Sequence, residues 1–139
     1  MKFLLPLLCL FSFITAPAQT EHLSFETVEI PPLHSECTSG TVAENRQCTQ
    51  QAIESFAKQK FNAGLFKNLN LNEKRIRVYA QFTIDKTGKA TNIKVRTAHP
   101  QLEKETKRVL NLLPRLTPAK HDGKPVVTQF NLPLIFILG

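Results

Sequence analysis

The strongest constraint on the fold is an alternation of apolar and polar residues over residues 76–85. The apolar positions are Ile76, Val78, Ala80, Phe82 and Ile84. Because successive side chains of a strand point to opposite faces, this pattern predicts a β-strand with one buried and one solvated face. The short loop that follows ends in Gly88 and predicts a tight hairpin turn. Beyond it a second strand is predicted, with Ile93, Val95 and Thr97 turned inward.

The end of the chain predicts a third strand, over residues 126–138. Its inward face would hold Val126, Thr128, Phe130, Leu132, Leu134, Phe136 and Leu138. Pro133 lies within this segment, and a proline has no N–H to give to a neighbouring strand. The strand is therefore expected at an edge of the sheet. An open edge exposes backbone groups to which another chain can add a strand.

Two stretches have the spacing of amphipathic helices. The first, near residues 44–65, would place Ile53, Phe56, Ala57 and Phe61 on one face. Gly64 is expected to mark its end. The second begins at His99-Pro100 and ends at Pro114, because proline is favoured at the first helical position and cannot continue a helix. Its inward stripe consists of Leu102, Thr106, Val109 and Leu113. A loop is expected over residues 116–125, before the last strand.

The order of these elements predicts the topology. If the first strand runs up, the second runs down, the helix returns up and the last strand runs down. The last strand is then antiparallel to the first and can pair beside it. We expect an α+β fold in which a three-stranded antiparallel sheet has its last strand at an edge and both helices on one face.

The N-terminus has the pattern of a secretory signal peptide over residues 1–18. Lys2 precedes an apolar run over residues 3–14, and Ala16-Pro17-Ala18 resembles a cleavage site. The run is shorter than the roughly 20 residues that cross a bilayer. We expect a cleaved signal and a periplasmic protein. The alternative is an uncleaved segment that anchors the chain in the inner membrane.

After the predicted signal, the sequence divides into an extended leader over residues 19–40 and a folded domain over residues 41–139. The leader contains Pro31-Pro32 and little helical periodicity, so it is expected to be mostly irregular. The predicted mature chain contains two cysteines, Cys37 and Cys48. In an oxidising compartment this pair predicts a disulfide. A zinc site that included His34 would have too few ligands.

Charge and motifs argue against several classes of function. The chain has 18 Lys and Arg against 11 Asp and Glu, so its surface could attract nucleic acid, anionic lipid or acidic proteins. Tyr79 has no aromatic neighbour on an exposed face with which to stack bases, so nucleic-acid binding is not predicted. No nucleophile motif, phosphate loop or metal-ligand cluster stands out. We therefore expect neither an enzyme nor a bound cofactor or metal.

Six blocks, in this order and spacing, resemble the TonB C-terminal domain family. They are Arg77-Val78-Tyr79-Ala80-Gln81-Phe82-Thr83-Ile84-Asp85-Lys86 with Gly88, Ile93-Lys94-Val95, His99-Pro100 with Leu102-Glu103-Lys104-Glu105, Leu113-Pro114 with Pro118, Gly123-Lys124-Pro125-Val126, and Leu132-Pro133-Leu134 with Phe136. The resemblance extends over residues 37–138, and the Cys37 and Cys48 pair is similar to a subgroup of the family.

The resemblance implies a binding role in energy-dependent nutrient uptake. Members of the family bind the box peptide of an outer-membrane receptor as a strand beside their own last strand. A motor complex in the inner membrane powers the pull on that receptor. Because no membrane-spanning anchor and no long proline-rich spacer is evident in this sequence, we expect the binding half of the activity and leave energy coupling open.

These considerations predict a docking strand at the end of the chain. Its residues are Val127, Gln129, Asn131, Pro133, Ile135 and Ile137. Two alternatives keep the fold and change the function, namely a soluble modulator and a homodimer that forms through the same edge. Pro133 could also serve to block pairing at that edge.

Overall fold

A computed structural model describes residue 12, residues 22–69, residue 71 and residues 73–138. The predicted signal peptide lies outside the described residues apart from Ser12. The strands are β1 (Leu23–Ser24), β2 (Arg75–Ile84), β3 (Ala90–Arg96), β4 (Ala119–His121), β5 (Lys124–Val126) and β6 (Thr128–Ile137). The helices are α1 (Val42–Lys60), α2 (Gly64–Asn68) and α3 (Pro100–Asn111).

The predicted α+β fold is confirmed, with one addition to the sheet. β2 is central and pairs antiparallel with β3 on one side and with β6 on the other. A short fourth strand, β1, pairs in parallel with the beginning of β6, so the strand order is β1-β6-β2-β3. The three predicted strands are therefore present with the predicted directions, and the leader contributes the additional strand.

The first predicted helix is shorter than expected, and a second short helix follows it. Thr41 caps α1: its hydroxyl accepts the N–H of Glu44, whose carboxylate accepts the N–H of Thr41. Such a reciprocal capping box satisfies N–H groups that would have no partner at a helix start. The helix ends at Lys60 because the backbone of Phe61 is extended. Gly64 then begins α2 rather than ending α1.

The core lies between the helices and one face of the sheet. The even-numbered residues of β2 and most of those of β6 are buried, as the alternation predicted. Leu102, Thr106 and Val109 of α3 are also buried, and Leu113 packs at the margin of this core. Phe82 and Phe130 lie on adjacent strands with ring centroids 5.1 Å apart. The same alternation leaves the odd-numbered residues from Arg75 to Gln81 on the opposite face of the sheet, away from the helices.

The leader packs onto the rest of the fold. Phe25 and Val28 are buried, and Arg46 of α1 donates to the carbonyl oxygens of both. Ile30 and Leu33 form isolated antiparallel bridges to residues 120 and 117, respectively. These bridges attach the leader to the segment over residues 116–125, which was predicted as a loop but instead contains β4 and most of β5, paired as a hairpin. As expected, the described part of the leader has little regular secondary structure beyond the two residues of β1, although Phe25 and Val28 are buried in the fold.

The predicted disulfide between Cys37 and Cys48 is present. It joins the leader to the second turn of α1, and Cys37 is buried. A nearby hydrogen bond makes the same connection: the His34 N–H donates to the Thr49 hydroxyl at 3.1 Å. The leader is thus attached to α1 by one covalent bond and several hydrogen bonds. Within the described residues, no helix combines the length and apolar character that crossing a membrane requires.

Candidate docking edge

The outer side of β6 is the candidate site, and hydrogen bonds at its two ends show which residues present their backbone there. At the first end, the N–H groups of Leu23 and Phe25 donate to the carbonyl oxygens of Val127 and Gln129. At the other end, Leu138 donates to Lys74 next to β2. Backbone groups of successive strand residues point to opposite sides. The odd-numbered residues of β6 therefore direct their N–H and C=O groups away from β2.

The leader occupies the first part of this outer side. β1 pairs with Thr128 and Gln129, and the chain then turns away, with the Val28 N–H donating to the Ser24 carbonyl. Val127 and Gln129 were predicted as docking residues, and the structure places both beside the protein's own leader. No described residue pairs with the outer side of β6 from Asn131 onward. The available docking edge therefore comprises residues 131–137.

Pro133 lies in the middle of this edge, opposite Tyr79 of β2. Because the outward direction belongs to the odd-numbered residues, the missing N–H would have pointed away from β2. The pairing between β2 and β6 therefore loses no hydrogen bond at this position. The proline leaves only a carbonyl acceptor in the centre of the edge, between the complete N–H and C=O pairs of Asn131 and Ile135. A visiting strand would form fewer backbone bonds at its middle than at its ends.

The side chains of the docking edge lie on the face of the sheet opposite the helices. Asn131, Pro133, Ile135 and Ile137 are in register with Gln81, Tyr79, Arg77 and Arg75 of β2. The Gln81 side-chain amide donates to the side-chain Oδ1 of Asn131 at 3.2 Å. Two apolar side chains are unusually exposed here: 49% of Tyr79 and 82% of Ile137 is accessible to solvent. We call this surface the open face.

The open face is basic. Arg75 and Arg77 lie on β2, and Lys94 and Arg96 lie on β3 in register with Gln81 and Tyr79. A shallow groove of about 540 Å³ runs between β3 and β6 over Tyr79. The ion pairs that the described residues form lie elsewhere, on the helices and near His121. The positive charge of this face is therefore not neutralised by neighbouring carboxylates among the described residues.

Comparison with known protein families finds one that matches this chain. The family described as Gram-negative bacterial TonB protein C-terminal matches residues 67–138, which is more than half of the chain. The chain belongs to this family. A search of curated proteins found no match. The matched residues include α3 and the three long strands β2, β3 and β6, and they therefore contain the docking edge.

Membership of the TonB C-terminal family confirms the resemblance that the sequence motifs indicated. It implies a periplasmic location and a role in energy-coupled transport, since domains of this family generally interact with outer-membrane receptors. The leader, the disulfide and all of α1 lie upstream of the matched residues. They are therefore features of this chain that the family match does not describe.

One group of side chains has the composition of a metal site. Glu29, His121 and Asp122 are all exposed, and their ligand atoms lie within 4.8 Å of one another. Among the described residues this is the one such group. It lies at the turn between β4 and β5, away from the docking edge, and Glu29 also accepts the Asp122 N–H at 3.3 Å. These contacts attach the leader to the hairpin, and we assign no ion to them.

The sequence indicated the edge strand but not its boundary. Pro133 and the alternation of β6 were sufficient to place the strand, since both are local signals. The pairing of Leu23 and Ser24 with β6 is a contact between residues about 100 positions apart in sequence, and two-residue strands have no period of their own. The signal that could have revealed it was the apolar group Phe25, Val28 and Ile30 in a segment otherwise rich in polar residues.

Proposed function

We propose that this TonB-family domain docks an extended segment of an outer-membrane transport receptor as an added strand along residues 131–137 of β6. It would do so in the periplasm, as a non-enzymatic step of energy-dependent nutrient uptake. The single observation that supports this proposal is the outward row of backbone groups beyond Gln129, for which the described part of the chain provides no partner.

The physical argument rests on backbone hydrogen bonding. A visiting strand beside β6 would bond to the N–H and C=O groups of Asn131, Ile135 and Ile137, and to the carbonyl of Pro133. Side chains at alternate positions of the visitor would lie beside those of β6 and so fix its register. β1 already uses this mode of pairing two residues away, in the parallel direction. The geometry of this edge therefore allows another strand to pair with it.

The experiment is a titration of the isotope-labelled mature domain with receptor-box peptides, followed by amide shifts. We expect saturable shifts for the amides of Asn131, Ile135 and Ile137. The amides of Leu132 and Leu134, which point toward β2, should move less. A protein that dimerises with rising concentration and does not respond to peptide would contradict the proposal and favour the homodimer.

Two variants of Ile135 separate the contribution of its backbone N–H to peptide binding from that of its side chain. Ile135→Pro removes the outward N–H, and because that group faces away from β2 the fold should persist. Ile135→Ala keeps the N–H and shortens only the side chain. We expect the proline variant to lose most peptide binding and the alanine variant to retain it. Equal affinity for the two variants would mean that the peptide binds elsewhere.

A further inference from the structure

The open face carries charge that strand addition alone does not use. Arg75 and Arg77 of β2 lie one strand in from the docking edge, in register with Ile137 and Ile135. Both arginines are exposed, and among the described residues neither has a carboxylate within 4.0 Å. The surface beside the docking edge is therefore positive and available to a charged partner.

We propose that the basic open face selects docking segments that carry acidic side chains at alternate positions, two residues apart, beside Ile135 and Ile137. This inference rests on the proposed strand docking and adds the chemistry of the partner. The partner is an acidic extended peptide rather than nucleic acid or a lipid surface.

Sheet geometry puts these groups within reach of one another. Adjacent strands are spaced about 4.8 Å apart, so a strand added outside β6 lies about 10 Å from β2. The arginine and glutamate side chains can span that distance together. In an added strand, every second side chain points to the open face. A residue beside Ile135 would thus lie nearest Arg77, and the next residue on that face would lie nearest Arg75.

The other positions of the edge call for different side chains. A residue beside Pro133 would face Tyr79, and one beside Asn131 would face Gln81. These neighbours are uncharged, so an acidic preference is expected at one end of the docked segment only. Lys94 and Arg96 lie on the far strand, too distant for direct pairing, and would add to the positive potential that attracts an acidic peptide.

A peptide fits these observations better than the other anionic partners. The arginines lie next to the docking edge, and the same residues, Ile135 and Ile137, present both their backbone to the edge and their side chains to the open face. A membrane surface would require basic residues without this register. Nucleic acid would favour aromatic rings that stack bases, and Tyr79 is the only exposed aromatic residue among those described on this face.

The test compares two labelled peptides, Thr-Val-Glu-Val-Glu-Val-Thr and the same sequence with Gln in place of Glu, by fluorescence anisotropy against the mature protein. At about 50 mM salt, the Glu peptide should bind about five- to tenfold more tightly. The ratio should fall toward one at about 500 mM salt, because the Debye length shortens. Arg75→Gln and Arg77→Gln should each reduce the ratio of the affinities for the Glu and Gln peptides and leave the affinity for the Gln peptide unchanged.

Lys86→Gln is the matched control. It removes an exposed positive charge at the turn between β2 and β3, at the opposite end of β2 from Arg75 and Arg77, so the preference for the Glu peptide should persist. If both peptides bind equally, the acidic preference is overturned and strand docking stands. If neither peptide binds, both proposals fail. If anionic lipid vesicles or single-stranded RNA bind more tightly than the Glu peptide and depend on the same arginines, the face serves that partner instead.

Discussion

The ring of Phe25 packs edge to face against the ring of Phe130, with centroids 4.5 Å apart. The first residue belongs to the leader and the second to β6, so this contact inserts the leader into the core directly beneath the start of the docking edge. It occurs where β1 leaves the edge and the chain turns inward. The leader is thus part of the folded domain and also sets the point from which the edge is open.

Removing this ring should destabilise the protein and loosen β1. Phe25→Ala is expected to lower the free energy of unfolding by about 3–5 kcal/mol, because a buried aromatic ring is lost and a cavity remains. Urea denaturation measures the loss, and amide exchange at the start of β6 reports the release of β1. Ile30→Ala, at a leader residue that is 38% exposed, should cost less than about 1 kcal/mol. Equal losses for the two variants would contradict the role given to Phe25.

Gly88 should tolerate alanine much less well than Gly123. Both have positive φ, at 86° and 75°, where a side chain costs about 1–2 kcal/mol. A Cβ at Gly88 would also lie 1.7 Å from the Leu116 carbonyl oxygen, whereas one at Gly123 would meet nothing within 4 Å. We expect Gly88→Ala to cost more than about 3 kcal/mol and Gly123→Ala about 1–2 kcal/mol. Thermal and urea unfolding of the two variants make the comparison, and similar values would show that the turn can move.

The disulfide should stabilise the domain by limiting its unfolded state. Cys37 and Cys48 are 11 positions apart, and closing a loop of that size contributes about 2–3 kcal/mol in the chain-entropy model. Replacing both cysteines by serine should therefore lower the free energy of unfolding by that amount. Adding reductant should produce the same loss in the unmodified protein and none in the double variant. A reductant effect that persists in the double variant would have another origin.

Acid should weaken the contact between α1 and α3. Hydrogen bonding to Arg108 holds the pKa of Glu105 below its ordinary value of 4.5, burial opposes this effect, and the Asn62 N–H adds to the lowering. The folded-state pKa is thus below the unfolded one, so the contribution is present above pH 4.5 and is lost as the pH falls through the folded value. In Glu105→Gln this part of the pH dependence of unfolding should disappear, whereas Glu103→Gln, at an exposed pair with Lys107, should retain it.

Pro133 should suppress pairing between copies of the protein. Pro133→Val restores an outward N–H at the centre of the docking edge without disturbing the bonds to β2, so the fold should be retained. We expect the variant to self-associate at lower concentration than the unmodified protein in sedimentation experiments. Pro125→Val, on the exposed β4–β5 hairpin, is the control and should leave association unchanged. An unaltered sedimentation profile for Pro133→Val would mean that the proline does not protect the edge.

Local periodicity was sufficient to predict most of the sheet. The alternation of residues 76–85 and the inward face of β6 placed the central strand, its neighbours and their directions correctly. Pro133 predicted an edge strand; β1 covers the start of β6, and no described residue pairs with its outer side from Asn131 onward. These predictions succeeded because each depends on residues close together in sequence and on rules of strand geometry that hold for any sheet.

The elements that were missed depend on tertiary contacts. α1 ends early because Phe61 leaves the helix to join the ring cluster of Phe66 and Phe136, which periodicity does not reveal. The β4–β5 hairpin is short, and its turn includes Asp122 with φ of 52°, an uncommon conformation for a residue other than glycine. The role of the leader depends on burial of Phe25 and Val28 against distant strands, and no pattern within the leader encodes its partner.

The attachment of the leader has a mechanical consequence. Tension applied to the chain upstream of Leu23 would first reach the sheet at Val127 and Gln129, next to the segment that we propose grips a peptide. Arg46 and the Cys37–Cys48 bridge would carry the remaining load to α1. A pulling force would therefore enter the domain beside the proposed peptide-binding segment rather than at the far end of the sheet.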